Sequence, residues 1–119
     1  MSYKTNDSIK KYLDNKYGDR IKEKTVDYFL VSWKEIIEDL ENIPDVDNYL
    51  NYLTFRESLE DMSVMINHED KERFMEELSE LDEKFKSKTK VIDKSLWLKD
   101  RWYYRRVPQD VNPYDGWIG

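Results

Sequence analysis

The sequence predicts an all-α domain: a four-helix bundle-like core followed by an irregular, aromatic C-terminal segment. Three observations carry that expectation. Apolar residues recur at alternating steps of three and four through most of the chain, the spacing that gathers them on one side of an α-helix. Helix breakers are scarce, Gly18 and Pro44 being the only glycine and proline before residue 108, which leaves runs too turn-poor for a β fold. Hydrophobic residues make up 39% of the chain and aromatics 14%, enough to build a core although 39% of the residues are charged. A chain of 119 residues suits a single core, so one domain is expected over 1–119, helical over about 7–88 and aromatic over about 91–119.

The elements follow in order. Ile9, Tyr12, Leu13 and Tyr17 mark a first helix near 7–17, opening at Asn6, Asp7 or Ser8, all good N-caps. The clearest stripe is Val26, Phe29, Trp33, Ile36, Leu40 and Ile43. It predicts a second helix near 20–43, started after Gly18 and stopped by Pro44, which disfavours helical backbone at Ile43; Trp33 is expected at the centre of the core. A third helix near 47–66 carries Tyr52, Phe55, Leu59, Met62 and Ile66, widened by Tyr49, Leu50 and Leu53, with a kink near Thr54 left open. A fourth near 68–87 has Asn67 as N-cap, acids in its first turn where the macrodipole favours them, and Phe74, Leu78, Leu81 and Phe85 inside. From Lys90 onward the pattern fits a short helix or an extended strand equally, so 91–106 stays open between the two.

Charge is sorted into blocks. Lys and Arg less Asp and Glu gives +3 over residues 1–34, −14 over 35–83, +7 over 84–106 and −2 over 107–119, which together make the net −6. Solvated glutamate faces with a basic segment folded back on them account for much of this pattern. The uncompensated middle block still carries self-repulsion that mere solubility does not require. The functional reading is an acidic surface that steers and docks a protein with a basic surface. Its candidate residues are Glu57, Glu60, Asp61, Glu69, Glu72 and Glu76.

Catalytic and cofactor signatures are missing from the sequence. Cysteine is absent, which removes disulfides, thiol nucleophiles and cysteine-ligated metals. The single histidine, His68, sits at a helix start with no nucleophile motif beside it, and His68 with Glu72 at i, i+4 supplies too few ligands for a metal. "DVDNYLNYLTFRE" begins like a calcium loop at Asp45 and Asp47, then fails where Tyr49 and Leu50 replace an oxygen ligand and the glycine. Glycine-rich phosphate loops are excluded with glycines only at 18, 116 and 119. No enzyme, cofactor or metal is therefore expected. No apolar run approaches the roughly 18 residues that span a bilayer and the N-terminus has no apolar signal region, so a cytoplasmic protein without membrane contact is expected. Whether it is a monomer or a homodimer stays open.

The C-terminal "DRWYYRRVPQDVNPYDGWIG" (100–119) stands apart from the rest. "LWLKDRWYYRR" interleaves aromatics and cations like a stacking platform for single-stranded nucleic acid, the alternative function; the acidic chain argues against it. The same aromatics suit the open end of a bundle. Tyr103, Tyr104, Arg105, Arg106 and Trp117 are also the residue types that dominate protein–protein contacts. The expectation drawn is a division at Pro108, with 96–104 mainly structural and 105–119 mainly exposed, so that Tyr104, Arg105, Arg106 and Trp117 join the acids as partner-binding candidates.

The helix end "LDEKF" at 81–85, followed by "WYYRRVP" at 102–108, resembles the ends of small, mostly helical bacterial proteins grouped with the immunity proteins of polymorphic-toxin systems, or with uncharacterised families like them. The resemblance covers only the end of the chain. It implies a non-enzymatic protein that binds and neutralises a cognate toxin, and it assigns no functional residue.

Overall fold

The computed structural model, which describes residues 2–43, 45–98 and 100–111, contains helices α1 (Asp7–Tyr17), α2 (Val26–Glu38), α3 (Val46–Ser63) and α4 (His68–Ser87). A short antiparallel pair follows, β1 (Thr89–Val91) and β2 (Arg106–Pro108). The domain is thus mostly helical with a small two-stranded sheet, a correction to the all-α expectation. The correction falls in the segment where periodicity was ambiguous.

Local chemistry sets most helix ends. Asn6 Oδ1 accepts the Ile9 N–H at 3.0 Å to open α1, and Gly18 closes it at a positive φ of 54°, which a residue without Cβ adopts freely. Thr25 Oγ1 accepts the Tyr28 N–H at 3.2 Å, so α2 begins at Val26 and not near 20. The intervening Lys22, Glu23 and Lys24 offer no apolar face to hold a helix on the core. At the other end α2 gives way to a 3-10 turn at Leu40–Asn42, and Ile43 turns extended (ψ 119°), as a residue before proline prefers. Asp45 accepts the Asn48 N–H at 2.9 Å and starts α3. Asn67 stands at the cap position of α4, but its oxygen accepts from Asn6 Nδ2 at 2.8 Å, and the same amide donates to Met65 O at 2.7 Å. One side chain thereby ties the start of α1 to the α3–α4 connection.

Helix α3 runs through the middle as one unbroken helix past Thr54. Arg56, Glu57, Ser58 and Leu59 are all buried, and four consecutive positions of a helix point all round its axis, so neighbours must cover every side. Tyr17 of α1 shares a 2.6 Å hydrogen bond with Ser58, and Lys16 approaches Glu57 at 3.4 Å. Asp82 of α4 receives Arg56. Tyr49 donates from α3 to the Arg106 carbonyl of β2 at 2.7 Å. The stripe expected on α3 is corrected accordingly: Tyr52 is 38% exposed and Phe55 half-buried, whereas Tyr49 and Leu53 lie fully inside.

Trp33 is fully buried, as its place in the α2 stripe predicts, with its ring 4.9 Å from that of Phe85. Phe29, Phe74, Leu78, Leu59 and Met62 complete the centre. Tyr3, which helical periodicity does not mark, is also buried. Its ring meets Phe74 edge-on at 5.7 Å beneath the Arg73 guanidinium, and its N–H bonds Asp27.

The sheet pairs Thr89 with Pro108, Lys90 with Val107 and Val91 with Arg106. It clips the ends of a loop whose 3-10 turn, Trp102–Arg105, drives Tyr103 and Tyr104 into the interior. The expected division at Pro108 is met upstream by Leu96, Trp102, Tyr103 and Tyr104, which pack on the core, and is corrected at particular residues. Upstream, Trp97 (49%) and Leu98 (96%) are exposed. Downstream of 104, Val107 and Pro108 are buried and the arginines are engaged. Residues 112–119, with Trp117, lie outside the described residues.

Candidate functional site

The acidic block divides into carboxylates that the fold consumes and carboxylates it leaves free. Asp82 lies at the junction of three helices: Arg56 grips it through Nε and Nη2 at 2.9 and 2.8 Å, and Trp33 Nε1 donates to it at 3.2 Å. Paired and hydrogen-bonded in this way, the two charges tolerate burial. The Arg56 guanidinium also lies 5.0 Å from the Tyr103 ring centroid and 5.7 Å from that of Trp102, so the C-terminal aromatics shield the pair from water. Glu57 is buried, accepting from the Tyr104 hydroxyl at 2.7 Å and from Lys16. Glu60 and Asp61 both bind Arg101, and Asp61 takes the Tyr12 hydroxyl at 2.5 Å. Glu57, Glu60 and Asp61 are therefore committed to internal bonds that tie α1 and the C-terminal turn to α3. Offering them to a partner would break the fold's own network.

The described C-terminal candidates, Tyr104, Arg105 and Arg106, are committed as well. Tyr104 is 1% exposed, and burial, reinforced by its hydrogen bond to Glu57, pushes its phenol well above the ordinary value. Arg105 forks onto Asp100, with Nη2 2.9 Å from Oδ2, and the donated hydrogen bond holds that carboxyl below its usual range. Arg106 donates to the Thr89 hydroxyl at 2.8 Å and to the Lys86 carbonyl at 3.1 Å, stapling β2 to the end of α4. A base-stacking platform needs open ring faces and free cations. Here Tyr103 and Tyr104 are interior, and the Trp102 ring meets Phe85 and Tyr103 with Lys86 over it.

What remains free lies on helix surfaces. Glu69, Glu72, Glu76 and Glu80 of α4 follow steps of three, four and four, forming one exposed stripe, and none pairs with a described residue. Glu72, Glu76 and Glu80 border an open surface depression with Met75 and Ser79, and Met75 is 44% exposed. Of the basic residues near this helix, Arg73 covers Tyr3 and meets Asp70 and Lys86 lies over Trp102, while Lys34 and Lys84 line a separate depression with Glu77 and Glu80. Three sequence candidates, Glu69, Glu72 and Glu76, are thus brought together on one face, joined by Glu80, which the sequence reading missed although it stands one turn beyond Glu76. The other described candidates, Glu57, Glu60, Asp61, Tyr104, Arg105 and Arg106, are taken up in contacts among α1, α3, the 3-10 turn and the β clasp.

His68 is exposed at the first position of α4. Among the described residues no group of three or more histidine, aspartate or glutamate side chains is arranged to hold a metal ion, and no helix is long and apolar enough to cross a membrane. The class these observations define is a mostly helical domain closed by a β clasp, with an acidic outer helix face. Comparison with protein-family models, curated proteins and solved structures gives no match.

Proposed function

We propose that this is a non-enzymatic, cytoplasmic protein that docks a basic protein partner through the glutamate stripe of α4, acting as an inhibitor or immunity-type binder. The observation that carries the reading is the sorting of the acids. Glu57, Glu60, Asp61 and Asp82 have internal cationic partners, yet Glu69, Glu72, Glu76 and Glu80 face outward without an ion pair among the described residues. Glutamates one turn apart repel, by a few tenths of a kcal/mol per pair, and a basic partner removes that repulsion. Unpaired like charges on a rigid helix also speed encounter by long-range attraction. Relative to the sequence expectation, the docking surface moves away from the α3 acids and the C-terminal aromatics to a single helix face.

The test uses the intact protein as bait in extract from its source cell, followed by kinetics with the captured partner. The expected partner is basic, and its association rate falls steeply with salt. Changing Glu69, Glu72, Glu76 and Glu80 to Gln together slows association on the order of tenfold at low salt, with the thermal midpoint retained. Unchanged kinetics in that variant refute the docking face.

A further inference from the structure

On the opposite flank of α2 from α4, a groove of about 310 Å³ opens between α2 and α3. Tyr28, Ser32, Glu35, Ile36 and Asp39 line it from the α2 side, Asn42 and Ile43 from the turn, and Tyr52 and Phe55 from α3. Tyr28, Ser32, Glu35 and Asp39 follow steps of four, three and four, so a single edge of α2 supplies them. Aromatic residues form much of the wall, with the Tyr28 and Phe55 rings 6.4 Å apart. None of the lining residues is basic and two are acidic; the neighbouring Lys34 lines the other groove, against α4.

The groove presents two carboxylates, three hydroxyls and one amide, and no cation. Tyr28, Ser32, Glu35 and Tyr52 make no side-chain hydrogen bond or ion pair with any described residue. Among the described residues the Asp39 carboxylate receives the Asn42 amide alone, on Oδ1. Glu35 and Asp39 stand at i, i+4, where like charges repel. Aromatic faces attract a cation through their quadrupole, and a carboxylate adds a charge-assisted hydrogen bond. A planar guanidinium satisfies both at once, stacking on a ring while its fork of N–H groups meets a carboxylate, which a lysine ammonium does less well.

We infer that this groove receives an arginine side chain of a protein partner. The inference rests on the reading of the chain as a binder of basic proteins and deepens it, since it names the residue recognised. The groove is open at the surface, and the α2 ridge beside it exposes Val31 (53%) and Glu38. A peptide backbone lying on that ridge would thus deliver one arginine downward, much as an anchor residue enters a pocket in other interfaces.

The probe is a blocked tripeptide, acetyl-Gly-Arg-Gly-amide, titrated into ¹⁵N-labelled protein, with citrulline and lysine versions and free arginine as comparisons. The arginine peptide is expected to shift the amides of 28–39 and 52–55, the lysine peptide to bind several-fold more weakly, and the uncharged citrulline peptide about tenfold more weakly. Glu35→Gln and Tyr52→Ala, both exposed positions, should each weaken the arginine peptide about fivefold or more while the remaining spectrum shows an intact fold. Shifts confined to the α4 glutamates, or none, overturn the groove and leave the docking reading to its own test with the four α4 substitutions. Tighter binding of free arginine than of the blocked peptide overturns the protein side chain as occupant.

Discussion

Replacing Asp82 by Ala should unfold this protein more effectively than any single surface change, because of what it leaves behind. The Arg56 and Asp82 side chains are only 6% and 12% exposed, and the guanidinium meets the carboxylate through two hydrogen bonds of 2.9 and 2.8 Å. Its third nitrogen, Nη1, is buried without a partner. Without Asp82 the whole cation is stranded under Tyr103 and Trp102, and a buried charge that loses its partner destabilises by about 3–5 kcal/mol. The Trp33 indole N–H loses its acceptor at the same time, so the upper end of that range applies. For a domain of this size the drop in thermal midpoint is roughly 10–20 °C. The informative control is Arg56→Met with Asp82→Leu, which removes both charges and keeps volume in the core. Replacing a buried pair by apolar residues is often close to neutral, so the double variant should regain at least half of the loss, the orphaned Trp33 N–H accounting for about 1–3 kcal/mol of what remains. Urea denaturation followed by circular dichroism measures all three proteins. A loss under about 1 kcal/mol for Asp82→Ala, or a double variant no better than the single, would show that the pair is solvated and that the C-terminal turn does not seal it.

Two further outcomes follow from the same core. Trp33→Ala should destabilise by about 3–5 kcal/mol, since its ring is fully buried against Phe85 and the surrounding helices can close only part of the gap; a loss below about 1 kcal/mol in urea denaturation would contradict the burial. Stability should also fall at alkaline pH. Burial raises the phenols of Tyr17, Tyr49, Tyr103 and Tyr104 above their ordinary value of 10.0. A raised folded-state pKa contributes stability that is present below the unfolded value and lost as pH climbs past it, up to about 1.4 kcal/mol per phenol for each pH unit above 10. Phenolate absorbance and helical dichroism should therefore change together above pH 10, and full ionisation with the helices intact would refute it.

The parts of this fold written in neighbouring residues are legible in the chain. The start of α1 follows from its Asn6 cap, and the span of α4 from His68 to Ser87 and the burial of Trp33 follow from apolar spacing within a few turns. Glu69, Glu72 and Glu76 of α4 are legible too, because an exposed face needs no partner to define it, though Glu80 on the same face was missed. The rest depends on contacts between distant residues. β1 and β2 are three-residue strands, too short to show a period, and exist only because the loop between them folds back and fixes their register. Nor does spacing reveal that Arg56, Glu57 and Ser58 turn inward: read alone they look like a solvated break in the α3 stripe, and they become interior when α1, α4 and the aromatic turn each bring a matching group. The same closure decides the fate of the acids. Composition counts Glu57 and Glu72 as equal negatives, but a charge is available to a partner only where the folded chain has not already neutralised it, and that is settled by which side chains tertiary packing carries to within hydrogen-bonding distance.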